Sequence, residues 1–209
     1  IFLEMKILCD EGHRYCYLTP GNYGNDFLRQ TLGYDQELAV KCSNYIGDAI
    51  DDGVRLKMDG LLLVGHIGKL VKIAAGVMNT HSRQADSRME VLAVHAAMAG
   101  ADRETVCALM ECFTTKEALE ILEAKGLLEE TMRTVMEKIE YHLTKRAGEK
   151  MKVGALMFSD ELGVLGVILQ LDPQLADVHH HRVVCFINLL VPHPLKNLIG
   201  AEHLSRIRS

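Results

Sequence analysis

The sequence predicts an α/β protein of three layers, with a mostly parallel, Rossmann-like sheet between helices on both of its faces. Four short apolar or aromatic runs alternate with segments in which apolar residues recur at helical spacing, the order that parallel sheets require. One run, Leu61–Val64, has no polar alternation, as expected of a strand that is buried on both faces. Polar clusters follow the runs, at the strand ends where parallel sheets bind ligands.

The first predicted strand, Arg14–Thr19, ends at the glycine-rich turn Pro20–Gly24. Asn25 or Asp26 is expected to cap a short helix that closes at Gly33. A strand, a turn and a helix in this order resemble the entry to a nucleotide-binding fold, although GNYG is not the GxGxxG fingerprint. The alternative interpretation is a turn that needs glycine for its backbone alone.

The second predicted strand, Leu38–Cys42, is followed by Ser43 and Asn44, which are expected to cap the next helix. Dinucleotide-binding folds carry an acidic residue near this point to hold a ribose. The residues here are lysine, serine and asparagine, which argues against ordinary dinucleotide recognition. Lys41 is interpreted either as a contact for an anionic ligand or as a surface charge at a strand end.

The stretch Gly60–Asp86 organises the rest of the chain. After its strand, the sequence breaks at Gly65–Gly68 and then predicts a helix with an apolar face that reaches Met78. A glycine-flanked turn that leads into a helix N-terminus, with Lys69 in the first turn, suits an anionic group. A tight turn with a solvated lysine is the alternative. The polar residues 79–83 then form either a solvated loop or the wall of a site.

Further helices are expected between positions 89 and 143, and a fourth strand at Lys152–Phe158 ends in Ser159 and Asp160. The sequence Thr114–Glu117 is a capping box that opens one of these helices. The preceding helix is expected to bury Val106, Leu109, Met110 and Phe113.

Composition narrows the class of protein. The 209 residues are 48% hydrophobic, enough for one sizeable core. The net charge is −5, and with neither a basic stripe nor an aromatic platform no nucleic-acid partner is expected. The longest apolar runs are too short to span a membrane, and no signal peptide is recognisable. Six scattered cysteines without a CxxC pair indicate reduced thiols in a cytoplasmic protein, with neither a disulfide framework nor a zinc site.

Two regions are expected: an α/β domain over residues 1–166 and an atypical, poorly packed tail over residues 167–209. The tail holds three of the four prolines and five of the ten histidines, so its composition departs from that of the domain. Its His179–His181 run is not expected to bind a metal, since three adjacent side chains cannot all face one ion. Residues 2–8 resemble the interior of a helix, and the chain is therefore expected to begin inside a longer protein.

Four motifs together resemble the cobalt-precorrin-5B C(1)-methyltransferases of the anaerobic cobalamin pathway. They are LTPGNYG (18–24), KCSNYIGDAID (41–51), LLLVGHIGKLVKIAAGVMNTHSRQAD (61–86) and GALMFSDELGVLG (154–166). The resemblance covers about residues 2–166 and is specific, because four separate motifs occur in the order of the family. It concerns the C-terminal portion of the family, and the N-terminal portion that precedes it there is missing here.

The resemblance implies transfer of a methyl group from S-adenosylmethionine to C-1 of cobalt-precorrin-5B, which gives cobalt-precorrin-6A. Cobalt enters only as part of this tetrapyrrole substrate, so no metal site of the protein is expected. The acceptor carbon is enamine-like, and catalysis is therefore expected to consist mainly of aligning donor and acceptor. The implied partners are the tetrapyrrole and the missing N-terminal portion, with neither nucleic acid nor membrane; a homo-oligomer is left open.

The site residues are inferred from their places in the sequence, since the resemblance supplies no catalytic assignment. His66 and His81 are the catalytic candidates. The residues expected to bind the methyl donor are Thr19, Gly21, Asn22, Tyr23, Gly24, Ser43, Asn44, Gly65 and Gly68. The tetrapyrrole is rimmed with carboxylates, which favours cationic and polar contacts. The residues expected to bind it are Lys41, Lys69, Asn79, Thr80, Arg83 and Asp86.

Two other functions are kept as alternatives. A truncated, non-catalytic module could bind tetrapyrrole or nucleotide, and binding without turnover would favour it. The GHIGK turn at residues 65–69 could instead serve a phosphate-binding enzyme. Affinity for nucleoside phosphates but not for S-adenosylmethionine would favour the phosphate-binding enzyme.

Overall fold

The structure, a computed structural model, describes residues 1–27 and 36–168 of the chain. Its strands are β1 (Tyr15–Thr19), β2 (Ala39–Lys41), β3 (Gly60–His66), β4 (Lys152–Ser159) and β5 (Gly163–Ile168). They form one sheet in the order β2-β1-β3-β4-β5. The first four strands run parallel, and β5 is antiparallel to β4. The predicted α/β class with a mostly parallel sheet is confirmed.

Helices lie between and after the strands, as the hydrophobic spacing predicts. They are α1 (Phe2–Asp10), α2 (Asn22–Phe27), α3 (Ile46–Arg55), α4 (Ile67–Leu70), α5 (Arg88–Met98), α6 (Arg103–Met110), α7 (Thr115–Ala124) and α8 (Leu128–Ala147). Short 3-10 helices occupy Gln36–Leu38, Val71–Ala75 and Gly148–Lys150.

The core lies between the sheet and the helices on one of its faces. Alternate strand residues such as Leu18, Leu61 and Ala155 join one hydrophobic cluster with side chains of α1, α3, α5 and α8. On the second face, Phe27 of α2 stacks on Phe158 of β4, with the ring centroids 4.1 Å apart. Described helices therefore contact both faces, whereas a specific likeness to Rossmann folds stays a prediction.

The capping predictions have mixed outcomes. The Thr114 capping box is present: Thr114 Oγ1 accepts from the Glu117 amide at 3.2 Å, and Glu117 Oε2 accepts from the Thr114 amide. The predicted caps of the two earlier helices are wrong. Asn25 and Asp26 lie inside α2, which already begins at Asn22. Tyr45, not Ser43 or Asn44, is the N-cap of α3.

Two predicted helical stripes extend too far. The helix after β3 changes to a 3-10 turn and ends at Gly76, whose φ of +78° is a left-handed termination. Met78 therefore lies beyond it. Helix α6 ends at Met110, and the predicted burial is wrong for two residues: Met110 is 45% exposed and Phe113 is 85% exposed. In both places the apolar spacing continues past the backbone signal that ends the helix.

The predicted tail and the predicted helix segment 28–33 fall largely outside the described residues. Strand β5 runs to Ile168, and residues 169–209 follow the described part. The domain boundary at residue 166 stays a prediction. Within residues 1–27 and 36–168, no helix combines the length and hydropathy that crossing a membrane requires.

Candidate functional site

Four strand ends lie side by side at one edge of the sheet, here called the carboxyl edge. It consists of segments 19–24, 41–44, 65–69 and 158–160, which end or follow β1, β2, β3 and β4. These four strands are parallel neighbours, so their carboxyl ends share one edge. The strand order reverses between β1 and β3, the place where doubly wound sheets bind ligands. The turns at Asn22 and His66 therefore share one end of the sheet, as predicted.

The turn after β1 contains two glycines with different tasks. Gly21 has a φ of +150°, a backbone conformation that residues with side chains rarely adopt. A Cβ at this position would lie 3.8 Å from Lys69 Nζ. Gly24 is buried, and a Cβ there would lie 2.6 Å from the carbonyl oxygen of Val64. Close packing of α2 on β3 therefore explains Gly24 without a ligand. Asn22 Oδ1 accepts a hydrogen bond from Lys41 Nζ at 3.2 Å, which links the ends of β1 and β2.

His66 ends β3 and is the N-cap of α4. Its Nδ1 accepts a hydrogen bond from the Gly68 amide at 3.1 Å, so the neutral ring carries its proton on Nε2. Nε2 lies 3.8 Å from a carboxylate oxygen of Asp160. The ring also meets Phe158 edge-on, with the centroids 5.8 Å apart. These contacts orient a half-buried imidazole whose Nε2–H can serve a ligand at the carboxyl edge.

Lys69 ties the β3 end to the β1 end. Its ammonium donates a hydrogen bond to the carbonyl oxygen of Pro20. Burial lowers the pKa of Lys69, and nearby Cys42 opposes this shift. Burial raises the pKa of Cys42 to about 12, so this cysteine remains a thiol at neutral pH. Gly65 is needed for packing, because a Cβ there would collide with the Leu70 side chain.

The polar residues after Gly76 fold back onto the start of α3. Asn79 pairs with Tyr45 in an isolated β-bridge. The Thr80 amide donates to the Asn44 carbonyl oxygen at 3.0 Å, and Thr80 Oγ1 donates to Asn44 Oδ1 at 3.3 Å. Thr80 is 3% exposed. The predicted residues Asn44 and Thr80 therefore hold each other in place beside the end of β2, and Tyr45 holds the predicted residue Asn79 next to them.

Residues 81–84 form an exposed tip on this segment, here called the polar loop. His81 Nδ1 accepts from the Arg83 amide at 3.1 Å, and the Gln84 amide donates to the His81 carbonyl oxygen at 2.9 Å. The His81 amide also donates to Asn79 Oδ1 at 3.1 Å, and the Ala85 amide donates to the His81 carbonyl oxygen at 3.4 Å. These hydrogen bonds tie His81 to the segment 79–85.

The polar loop is supported by Lys72, a buried lysine that the sequence does not predict to be part of the site. Lys72 is 3% exposed, and its ammonium donates to the carbonyl oxygens of Thr80 at 3.3 Å and Ala85 at 3.0 Å. Asp86 lies 3.7 Å from Lys72 and forms two hydrogen bonds with Arg88, at 2.7 and 2.8 Å. The Arg88 guanidinium lowers the pKa of Asp86 to about 2. Asp86 is therefore engaged within the protein.

The remaining predicted residues can be placed as follows. Thr19 is buried at the end of β1, and Tyr23 lies in α2. Ser43 is exposed, in a left-handed conformation with a φ of 54°. The donor-binding, substrate-binding and catalytic roles all stay predictions. In the part of the chain that the structure describes, no three His, Cys, Asp or Glu side chains are grouped to hold a metal ion.

Comparison with known proteins adds a family to this geometry. Residues 79–167 match the family model described as the C-terminal domain of CbiD. The chain is 44% identical over 160 residues to a cobalt-precorrin-5B C(1)-methyltransferase of Ruminiclostridium cellulolyticum. This match covers 77% of this chain and 42% of the relative. It is 36% identical over 171 residues to the enzyme of the same name from Photorhabdus laumondii, covering 78% of this chain and 44% of the relative.

The chain spans less than half the length of these curated relatives. No solved structure matches it. The similarity extends over long stretches of sequence, so it assigns no role to a single residue. Over most of its described length, the chain resembles the C-terminal portion of the cobalt-precorrin-5B C(1)-methyltransferase family, and residues 79–167 match that family's C-terminal domain.

Proposed function

We propose that the chain supplies the C-terminal part of an enzyme that methylates C-1 of cobalt-precorrin-5B in anaerobic cobalamin biosynthesis, with S-adenosylmethionine as donor and cobalt-precorrin-6A as product. The carboxyl edge is the observation that supports this most. The motifs at residues 18–24, 41–51 and 61–86, and residues 158–160 of the fourth motif, all reach it from neighbouring parallel strands. The names of the relatives support the methyltransferase class and the pathway.

The β1–α2 turn fits the aminocarboxylate end of the methyl donor. Gly21 leaves space beside the turn, because a Cβ there would have no neighbouring atom closer than 3.8 Å, so the backbone can approach the donor closely. The end of β2 carries Lys41 where dinucleotide enzymes carry an acid. We therefore assign the ribose contacts to the neutral side chains of Ser43 and Asn44. The donor, when bound, supplies a methyl group on a positively charged sulfur.

The contacts to the methyl acceptor, the tetrapyrrole, are assigned to cationic groups and to His66. Lys41 and Lys69 lie at the carboxyl edge and can meet the carboxylates on the rim of the tetrapyrrole. His66 can donate a hydrogen bond from Nε2 to the same substrate. No side chain needs to attack, because the substrate carbon is itself the nucleophile. Cys42, whose pKa burial raises to about 12, stays a thiol at neutral pH and has no nucleophilic role in this proposal.

Alignment is the main catalytic task left to the chain. Holding two reactants in order can contribute about 7–11 kcal/mol in the best cases. A tetrapyrrole is large and flat, and ligand sites often lie between domains. Since the chain spans less than half of its relatives, we propose that the rest of their length supplies a second wall of the site.

The test is an anaerobic assay with cobalt-precorrin-5B and S-adenosylmethionine. We expect little turnover from this chain alone and substantial turnover from a fusion with the N-terminal portion of the Ruminiclostridium cellulolyticum relative. Calorimetry with S-adenosylhomocysteine on both proteins separates donor binding from chemistry. Equal turnover by the two proteins would contradict the two-wall proposal, and no methyl transfer by either would contradict the proposed reaction.

The alternative function is a non-catalytic module that binds tetrapyrrole or nucleotide. The observation in its favour is the position of Lys41 and Lys69 at the carboxyl edge, where they can bind an anionic ligand without any attacking side chain. Binding by the fusion protein without turnover would support it. The phosphate-binding interpretation of residues 65–69 is less well supported, because α4 has only four residues and therefore only a weak dipole at its N-terminus.

A further inference from the structure

The environment of Lys72 indicates a task beyond packing. A lysine ammonium has three N–H donors and is strongly hydrated, so its burial is costly unless acceptors surround it. Lys72 is 3% exposed and has two carbonyl oxygens and one carboxylate around it. An apolar side chain would fill the same core position without that cost. The acceptors that Lys72 reaches therefore explain why a lysine is present.

Those acceptors bracket the polar loop. The carbonyl oxygens of Thr80 and Ala85 stand immediately before and after residues 81–84, and one ammonium binds both. Asp86 continues the same contact at 3.7 Å, and Arg88 holds its carboxylate from the other side. Lys72 thus closes the base of a loop whose own side chains are exposed.

The segment 66–72, which contains Lys72, also contacts two parts of the carboxyl edge. His66 faces Asp160 of the β4–β5 turn, and Lys69 binds the carbonyl of Pro20 in the β1–α2 turn. Lys72 follows in the next 3-10 turn and reaches the polar loop. Residues 66–72 therefore contact three separate loops.

We propose that Lys72 is a positioning residue that holds the polar loop closed so that Arg83 can contact a carboxylate of the tetrapyrrole. Lys72 itself touches no ligand; it acts through the loop. The statement about Arg83 rests on the proposed function, whereas the closure of the loop does not. The two parts are tested by different measurements on the same variants.

Loop closure is measured by limited trypsin digestion of the whole chain, with cleavage after Arg83 followed by mass spectrometry. In Lys72→Met, we expect cleavage there to be at least about tenfold faster, since a hydrogen bond to a charged group contributes at least such a factor. Lys150→Met is the matched control, because Lys150 is exposed and precedes β4 at the opposite edge. Its cleavage after Arg83 should stay within about twofold of the original.

Equal cleavage in folded Lys72→Met and in the original chain would overturn the proposal. Circular dichroism reports whether the variant folds. If Lys72→Met does not fold, Asp86→Asn decides, because it weakens the same contact at an exposed side chain. A faster cleavage in Asp86→Asn supports the proposal, and an unchanged one would assign Lys72 to the core alone.

Ligand positioning is measured by fluorescence titration with uroporphyrin, a tetrapyrrole with carboxylates on its rim. We expect Lys72→Met and Arg83→Ala to weaken binding by similar factors and the double variant to lose no more than either single one. Additive losses would show that Lys72 does not act through the loop. The titration is repeated on the fusion with the N-terminal portion of the Ruminiclostridium cellulolyticum relative, because the two-wall proposal expects only weak binding by this chain alone. Absence of porphyrin binding by the fusion would refute the proposed function, while the cleavage measurement still judges the closure.

Discussion

Gly24→Ala tests how α2 is seated on the sheet. A Cβ at position 24 would lie 2.6 Å from the backbone oxygen of Val64, about 0.8 Å inside the 3.4 Å at which ordinary contact begins. Thr19 Cβ would be 3.1 Å away on another side, which leaves little room for a sideways shift. The substitution must therefore push α2 away from β3.

The cost of this overlap is that of forcing a methyl group into a packed core, about 1–3 kcal/mol. With a urea m-value of about 2 kcal/mol/M, a loss of about 2 kcal/mol lowers the unfolding midpoint by about 1 M. Urea titration followed by circular dichroism measures that shift.

Gly68→Ala is the matched control for Gly24→Ala. A Cβ at Gly68 would lie 3.3 Å from His66 Nδ1, a tight contact that a small ring movement can relieve. We expect a loss below about 1 kcal/mol at Gly68. If the urea midpoint of Gly24→Ala equals that of the original chain, the described packing of α2 is refuted. Gly24 would then again be a candidate for contact with a ligand.

Four further predictions concern histidine, acid and helix capping. His66→Ala should weaken uroporphyrin binding but lower the unfolding free energy by less than about 3 kcal/mol, because the side chain is 29% exposed; a larger loss marks a structural histidine. Burial lowers the pKa of His95, so the unfolded chain binds a proton there before the folded chain does. The free energy of unfolding should therefore fall as pH drops below about 6.5. Urea midpoints should show this fall, and His95→Gln should reduce it. Arg88 lowers the pKa of Asp86 to about 2. The ionised Asp86 therefore stabilises the folded chain above the ordinary pKa of 3.8, and this stabilisation should be lost as pH falls through about 2. Asp86→Asn should flatten that part of the acid-unfolding curve. Thr114→Ala should cost about 1 kcal/mol in urea unfolding, since it removes the capping box of α7; no change would mean that α7 does not depend on its cap.

Local signals in the sequence were sufficient for much of the fold. The fourth strand is predicted at Lys152–Phe158 and found at Lys152–Ser159. Its run of apolar residues needs no knowledge of the rest of the chain, and the same holds for the Thr114–Glu117 capping box. The common edge of the polar clusters follows from the parallel sheet, so the shared end of the Asn22 and His66 turns was also predictable.

Features that depend on distant contacts were not predictable. Lys72 lies in a run of apolar residues, and nothing nearby shows that carbonyl oxygens 8 and 13 positions later surround its ammonium. Phe113 continues the apolar spacing of α6, yet the helix ends at Met110. The packing role of Gly24 depends on how α2 lies against Val64, which sequence spacing does not specify.

The central claim is that the carboxyl edge between β1 and β3 binds the methyl donor. Titration of the isotopically labelled chain with S-adenosylhomocysteine, followed residue by residue by NMR, tests it most directly and detects weak binding. The account predicts that the amide signals of Gly21, Asn22, Gly65 and Gly68 shift together, with one shared saturation curve, while those of α6 and α7 stay in place. Shifts confined to α6 and α7, or none at saturating ligand, would contradict it.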